Sequence, residues 1–594
     1  MTDGANVNSF VIGTPGPLPP LWRDRPMEVR VEEGGGLAAV AEVRVLDPER
    51  KLLGQTSITI GGKFTVQAKA GPAAPLRPMF AGEVIALEAD FDGAGTYTTI
   101  RALDVSHRLQ RGRRIAGYPM MKASEIVVQL AGAAGVALGT VDATSTEYEY
   151  LTQPNVSDWE FLRTLALENG RELVVEDGVL NFRKPVAAAE APGLSTTPDK
   201  NPFVLELGKN VLAVRSSVNS VNQVGTVRVR GWDVRNKLAV NAEAPVLPSP
   251  EQQFGLTPAQ AVGPFPKAEL LVADTPYRTE AEATAVATAL AADQAAALGE
   301  LDVTVRGTPE LRVGTPVTLT KAGAPFDGKY TVTAVAHHYL RGIGYETRLT
   351  VSGRQDRTLF GLAAAATAPA RSPRVPSVAT GIVVDVLADG QTPQDGYPGQ
   401  LQQGWVKLKF PWLSDSSAAD ARAYQSDWVR VVQLGGLNGG GLFCPEIGDE
   451  VLVAFEQGLL DRPYVLGGLY NGHDDPTPVP GKLLGAMKKV ARRTVANRDG
   501  DRLELLSNPA ADEGLRLATG DGRLTVTLDR RTHEIRVQAS RGAKVSVVAD
   551  GDVDVQGRNI TLGAATGRVS VHGEQVSIGA TAEISINAPL VKLN

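Results

Sequence analysis

The residues able to do chemistry are few: 594 residues contain six histidines and one cysteine. His337 and His338 sit in an alternating run, so a strand sends their rings to opposite faces, where they cannot hold one metal ion together. Cys444 acts as a nucleophile only as a thiolate, which needs a neighbouring cation or base. It precedes Pro445 instead, with no histidine close in sequence. Glu446, Asp449 and Glu450 are the right types for paired acid–base work, but Asp449 follows Gly448 and Glu450 opens an apolar alternation, which is the pattern of a turn entering a strand. The glycine-rich run from Leu434 to Leu442 lacks the Gly-Lys-Ser/Thr ending and the following helix of a phosphate cradle, and reads as a loop between strands. His572 follows Val569 and Val571 and falls on the outer side of its strand. The residue types and spacings therefore predict no catalytic, cofactor-binding or metal-ligating set.

The scaffold around these residues is long enough for about four domains, each able to bury a core without staples. Sixty Lys and Arg against 66 Asp and Glu leave a net charge of −6, which argues against nucleic acid as the partner of the whole chain. With one cysteine no internal disulfide forms. No basic start leads into an apolar run, and no apolar stretch of about 18 residues occurs, so the expectation is cytoplasmic synthesis without a signal peptide or a membrane span.

The fold class expected is mainly β with minor α. Residues 1–26 read as an arm. Residues 27–110 alternate in short strands broken by turn residues and predict a small barrel. Residues 111–210 form an inserted α/β region with two helices: one capped by Ser124, with Ile126, Val127, Leu130 and Ala131 on a single face, and one opened by the capping box Ser157 to Glu160 and closed by Gly170. Residues 211–360 return to strands, with an alanine-rich helix from the capping box Thr279 to Glu282 and a second small barrel from Leu301. Residues 361–377 read as a linker, 378–472 as five strands of an OB-type barrel, and 473–523 as a connector.

Residues 524–594 carry the least common pattern. Apolar pairs recur at Leu524/Val526, Ile535/Val537, Val545/Val547, Val553/Val555, Ile560/Leu562, Val569/Val571, Val576/Ile578, Ile584/Ile586 and Val591/Leu593. A short fixed period without helices predicts a β-helix or prism. So few apolar atoms cannot cover themselves, so three copies wound about one axis are expected, giving an intertwined triple-stranded β-helix; a meander of hairpins is the alternative.

Three stretches carry a family resemblance: Gln153 to Phe182, Phe326 to His338 with the following Gly-Tyr-Glu-Thr-Arg-Leu-Thr-Val, and Cys444 to Gly472 with its Pro, Gly-Asp-Glu-Val, Arg-Pro and Leu-Gly marks. In these the chain resembles the VgrG family of contractile-injection spikes and the related hub-plus-spike proteins of phage tails. The resemblance implies a homotrimeric hub and needle in which two hub barrels per subunit form a pseudo-sixfold ring, adapting a sixfold tube to a threefold spike. It implies inner tube and baseplate proteins as partners, effector cargo, and assembly in the cytoplasm within a tail-like particle that is expelled on contraction and meets membranes by puncture. A PAAR-like tip protein is expected to bind through Leu590, Val591, Lys592, Leu593 and Asn594, since the His-x-His tip motif of some phage spikes does not occur here. The gap between barrel and prism is too short for the lysozyme domain of some phage spikes, and no toxin domain is expected after Asn594. Type VI, extracellular and phage-tail versions stay open, with a tail-associated hydrolase and a receptor-binding fibre as the competing readings.

Overall fold

The computed structural model describes residues 10–592 apart from 14–15, 35, 71–73, 222, 235, 353–373, 376, 388–403, 414–423 and 437–438. It divides into two units, Met1–Asp474 and Asp475–Asn594.

In the first unit ten strands make one sheet: β1 (Phe10–Gly13), β2 (Pro26–Gly34), β3 (Leu37–Leu46), β4 (Lys63–Ala68), β5 (Arg77–Asp92), β6 (Gly95–Leu103), β7 (Val211–Val218), β8 (Gly299–Arg306), β9 (Ala334–Leu340) and β10 (Gly344–Val351). Their spatial order is β1-β4-β5-β6-β3-β2-β9-β10-β8-β7. The two barrel-like regions are thus joined edge to edge, because β2 pairs antiparallel with β9 from Glu28 opposite Leu340 to Gly34 opposite Ala334. Each region keeps its own core: Val29, Val43, Phe64, Val66 and Ile100 in the first, and Val303, Val317, Leu319, Tyr330 and Leu349 in the second. Alternation dictates this, since every second residue of a strand faces the same side.

The arm reading needs correction. Phe10–Gly13 is an edge strand on β4, and Phe10, Ile12, Leu18 and Trp22 belong to the first core. Their bulk is the reason, as four large apolar side chains gain more in that core than an exposed tail could recover.

Between β6 and β7, α1 (Ala123–Ala133) and α2 (Asp158–Glu168) pack Ile126, Val127, Leu130, Phe161, Leu162 and Leu165 into one core with Leu180 and Phe182. Ser157 caps α2, its Oγ accepting from the Glu160 N–H at 3.2 Å while the Glu160 carboxylate accepts from the Ser157 N–H at 2.9 Å. Ser124 does not cap α1. The strand Arg114–Lys122 runs straight into the helix, Glu125 accepts from the Lys122 N–H at 2.9 Å, and Ser124 pairs with Thr144 instead. Helix α3 (Glu280–Ala296) opens with the Thr279/Glu282 box and packs on the sheet of Thr226–Asp233, Leu238–Pro245 and Glu269–Tyr277, sharing a core with Val227 and Val229.

Five strands, Val406–Lys409, Ala379–Val386, Glu450–Phe455, Pro463–Gly468 and Arg430–Val431, form the OB-like sheet around Val383, Leu408, Phe410, Val451, Val453 and Val465. Tyr150 packs against this core and donates through its hydroxyl to the Gln425 carbonyl at 2.6 Å, which ties the inserted region to the OB module. Most of the expected linker, residues 361–377, lies outside the described residues. Arg374 within it bridges the carbonyls of Asp274 and Gln457, both at 2.7 Å.

In the second unit the expected connector is not featureless. Arg492–Ala496, Arg502–Ser507, Glu513–Ala518, Leu524–Asp529 and Glu534–Ala539 form an antiparallel meander in chain order. The first two apolar pairs of the repeat, Leu524/Val526 and Ile535/Val537, therefore belong to hairpins within one chain, and the wound pattern can begin only after Ala539. Hairpin and threefold strand both bury alternate residues, so the pattern alone did not separate them. From Lys544 to Lys592 every residue is exposed and no strand is paired within the chain. No helix among the described residues is long and apolar enough to cross a membrane.

Candidate functional surfaces

The histidine pair divides as its strand requires. His337 is buried: its Nε2 lies 3.0 Å from the Leu311 carbonyl, to which it donates, and its Nδ1 accepts from the Tyr345 hydroxyl at 2.8 Å. Burial, then the neighbouring Arg312 charge, push its pKa down to about 3. His338 points to the other face and pairs with Glu28 at 2.9 Å. A buried ring with both nitrogens engaged is a structural post. Its linkage has a definite sign: because the folded pKa lies below the ordinary value of about 6.5, the unfolded chain binds the extra proton. The neutral ring's contribution is complete above pH 6.5 and is lost as pH falls from there towards 3. Melting curves across pH 7.5 to 4 should show the first unit losing stability on acidification, with a shallower loss in His337→Gln; an unchanged slope would assign the acid sensitivity to other groups.

Cys444 is half-buried, and burial together with the charges of Glu446 and Asp449 raises its thiol pKa, the reverse of what a nucleophile needs. Asp449 and Glu446 close a turn on each other, the Asp449 carboxylate accepting from the Glu446 N–H at 2.8 Å, with Gly448 at φ 96°. A left-handed position there favours glycine. Glu450 accepts from Asn471. The described part of the glycine-rich run is a loop held by the Phe443 N–H donating to Gln433 at 2.8 Å. Sequence reading missed one titratable group: Glu168 at the end of α2, its pKa raised to about 7 by burial and then by the charges of Glu282 and Asp461. Nothing in its helical spacing marks it, because the two other carboxylates come from α3 and the OB module.

The surfaces that remain are apolar. On the meander, cross-strand ladders run Val495–Leu503–Leu517–Val526–Val537 and Leu505–Leu515–Leu528–Ile535, all on one face. Most of these side chains are exposed. The opposite face is buried only around its centre, where it carries charge: Glu504 is 0% exposed, with Arg502, Arg516 and Arg492 at 3.3, 3.7 and 3.9 Å, while Thr494, Glu534 and Arg536 on the same face are exposed. A sheet that shows a continuous apolar face of this size is incomplete as a single chain. The later pairs behave alike, with Val547, Leu562 and Ile578 all at least 76% exposed. Leu590 and Val591 are exposed, as is Lys592, while Leu593 and Asn594 lie outside the described residues.

The OB module matches a known domain family. Residues 399–470 match the type VI secretion system/phage-baseplate injector OB domain, and residues 50–340 match the Alg8 N-terminal domain. The type VI secretion system spike protein VgrG1a of Pseudomonas aeruginosa is 42% identical over 109 residues, 17% of this chain and 16% of that protein. The chain is VgrG-like. VgrG4b of the same organism is 32% identical over 111 residues, covering 18% of this chain and 13% of that protein. The matched stretch spans about a sixth or less of these relatives' own length. The Francisella PdpA-VgrG complex, in its lidded form, aligns over 87% of the VgrG-like chain and 76% of its own at TM-score 0.50 and 8% identity. Its half-lidded form covers 89% and 88% at the same score. The fold of the VgrG-like chain is therefore mainly β with an OB module.

Proposed function

We propose that this chain is the homotrimeric central spike of a contractile injection system. Its first unit serves as the hub that adapts a sixfold tube to a threefold needle, and its second unit as the needle. The observation that carries this is the meander with its exposed apolar ladders and the exposed apolar pairs after it, which the same surfaces of further copies would cover. The spike relatives and the OB-domain match support the same reading. Inner tube and baseplate proteins bind the hub, effector cargo travels with the spike, and the whole is assembled in the cytoplasm and expelled on contraction. Light scattering on the purified chain should give three times the chain mass; a folded monomer would sink the proposal.

Docking of a PAAR-like tip protein belongs to the residues after Ile586, where Leu590 and Val591 offer apolar side chains beside Lys592, Leu593 and Asn594. Open strand edges supply main-chain pairing for such a partner. Val591→Asp should reduce co-purification with a co-expressed PAAR-like protein at least tenfold and leave the trimer intact, because docking would bury the new charge. Undiminished capture would place the contact elsewhere.

A hydrolase reading draws on one observation, the raised pKa of Glu168, which lies in the range useful to a general acid. The spike reading assigns Glu168 to packing between α2, α3 and the OB module. Turnover of peptidoglycan or nucleotides by the purified chain that vanishes in Glu168→Gln would favour the hydrolase.

A further inference from the structure

The OB module meets the rest of the first unit along two seams of hydrogen bonds. On one, the strand Glu147–Val156 of the inserted region reaches across: the Tyr150 hydroxyl donates to the Gln425 carbonyl at 2.6 Å, and the Thr152 and Tyr424 hydroxyls pair at 3.1 Å. On the other, Gln457 donates to the Ala273 carbonyl at 3.3 Å beside the Arg374 bridge. A third contact is of another kind, because charges of one sign meet there. Glu168 ends α2, Glu282 lies in the first turn of α3, and Asp461 precedes the OB strand Pro463–Gly468. Helix α2 packs on α3, and the charges of Glu282 and Asp461 both act on Glu168.

Of these three carboxylates only Glu168 is without an anchor. Glu282 accepts from the Arg278 and Thr279 N–H groups at 3.0 and 3.4 Å, at the helix end whose dipole favours an anion. Asp461 has the Arg462 guanidinium beside it, Nε at 3.7 Å. The Glu168 side chain makes no hydrogen bond or ion pair among the described residues, and it stands at the end of α2, where the dipole opposes a negative charge. Tyr148 and Tyr277 also face it, from the strands Glu147–Val156 and Glu269–Tyr277, as hydroxyls that burial pushes above their ordinary range. On the OB side Arg462 answers four carboxylates at once, Asp461, Glu282, Glu456 and Asp427, and its Nε is buried without a hydrogen bond.

We infer that this contact is a proton-operated latch between the OB module and the hub, closed while Glu168 carries a proton and loosened when its carboxylate ionises against Glu282 and Asp461. The proton is taken from solvent and returned to it. Burial, then the charges of Glu282 and Asp461, raise the Glu168 pKa from the ordinary 4.5 to about 7. The docked value is the higher, so the docked form binds the extra proton. Its contribution is complete below pH 4.5 and is lost as pH rises through 7. This is the reverse of the His337 linkage, and the two are read separately: His337 lies on β9 in the hub sheet, which stays paired when the OB module parts from α2 and α3. The latch goes beyond the spike reading and holds whatever the number of copies.

The test follows a thiol at the first seam in the full chain, with Cys444→Ser removing the native one. Thr152 is 8% exposed against Tyr424, so Thr152→Cys is open to a maleimide only when the modules part. Dividing each labelling rate by that of the same chain in denaturant at the same pH removes the thiol's own titration. Protection should be about tenfold greater at pH 6 than at pH 8, the ratio set by titration at about 7 docked and 4.5 undocked. Glu168→Gln should keep the pH 6 protection at both pH values, because the neutral amide has the shape of the protonated carboxyl. Thr318→Cys, wholly buried in the second barrel, should gain no protection on acidification. A ratio below threefold at Thr152→Cys, or a tenfold ratio that survives Glu168→Gln, would overturn the latch. Should Glu168→Gln fail to fold, Asp461→Asn decides: with one repelling charge gone the ratio should fall below fivefold, and an unchanged ratio would overturn the latch as well. Failure here leaves the spike reading standing, since that reading is tested by mass.

Discussion

Replacing Ile560, Ile578 and Ile584 together by Asp is expected to turn a detergent-resistant trimer into one that dissociates in unboiled dodecyl sulfate. These side chains are more than half exposed in the single chain, so the substitutions cost nothing there. In three wound copies they would bury nine carboxylates without partners, each costing several kcal/mol on the order expected for an unpaired buried charge. Wound strands separate only by unwinding, so the proposed trimer would owe its resistance to a kinetic barrier that the variant should lack. The first unit should keep its native circular dichroism and melting, because its five core clusters contain no residue of the needle segment. Survival of the variant as a detergent-resistant trimer would mean that the apolar pairs do not form the needle core.

What the sequence disclosed and what it hid divide along a physical line. Local signals were legible: the Ser157/Glu160 and Thr279/Glu282 boxes, the alternation of Val303 and Val305, and the opposed rings of His337 and His338 each depend on neighbours within a few residues. Pairing between β2 and β9 joins residues about three hundred positions apart, and no local pattern encodes it. The meander was within reach, because Leu503/Leu505 and Leu515/Leu517 alternate as clearly as Leu524/Val526 does. Asn497 to Gly500 and Thr519 to Gly522 also carry the turn residues of hairpins. It was passed over because alternation gives the buried face without naming the chain that buries it. The candidate tip residues were legible only through family resemblance, as Leu590, Val591 and Lys592 are exposed in the single chain.

Glu504→Gln should be the most damaging single substitution in the meander. The carboxylate is wholly buried between Arg502, Arg516 and Arg492, with Thr494 and Arg516 directly across from it in the ladder. Arg492 also donates to the Gly481 carbonyl at 2.9 Å, which fastens the segment before the meander to the same face. Removing the charge keeps the shape but takes the shared carboxylate from Arg502 and Arg492 and leaves Arg516 only Asp512 at 3.2 Å, and breaking a buried pair in this way costs about 3–5 kcal/mol. Replacing Glu504, Arg502 and Arg516 together by Leu should recover much of that loss, since a buried ionic group can be exchanged for packed apolar side chains with little net change. Hydrogen exchange on Arg492–Ala539 reads the difference directly: the single variant should lose protection across all five strands, and the triple variant should regain it. If Glu504→Gln exchanges like the parent chain, the arginines are neutralised by solvent or by another copy, and the buried carboxylate does not hold the meander together.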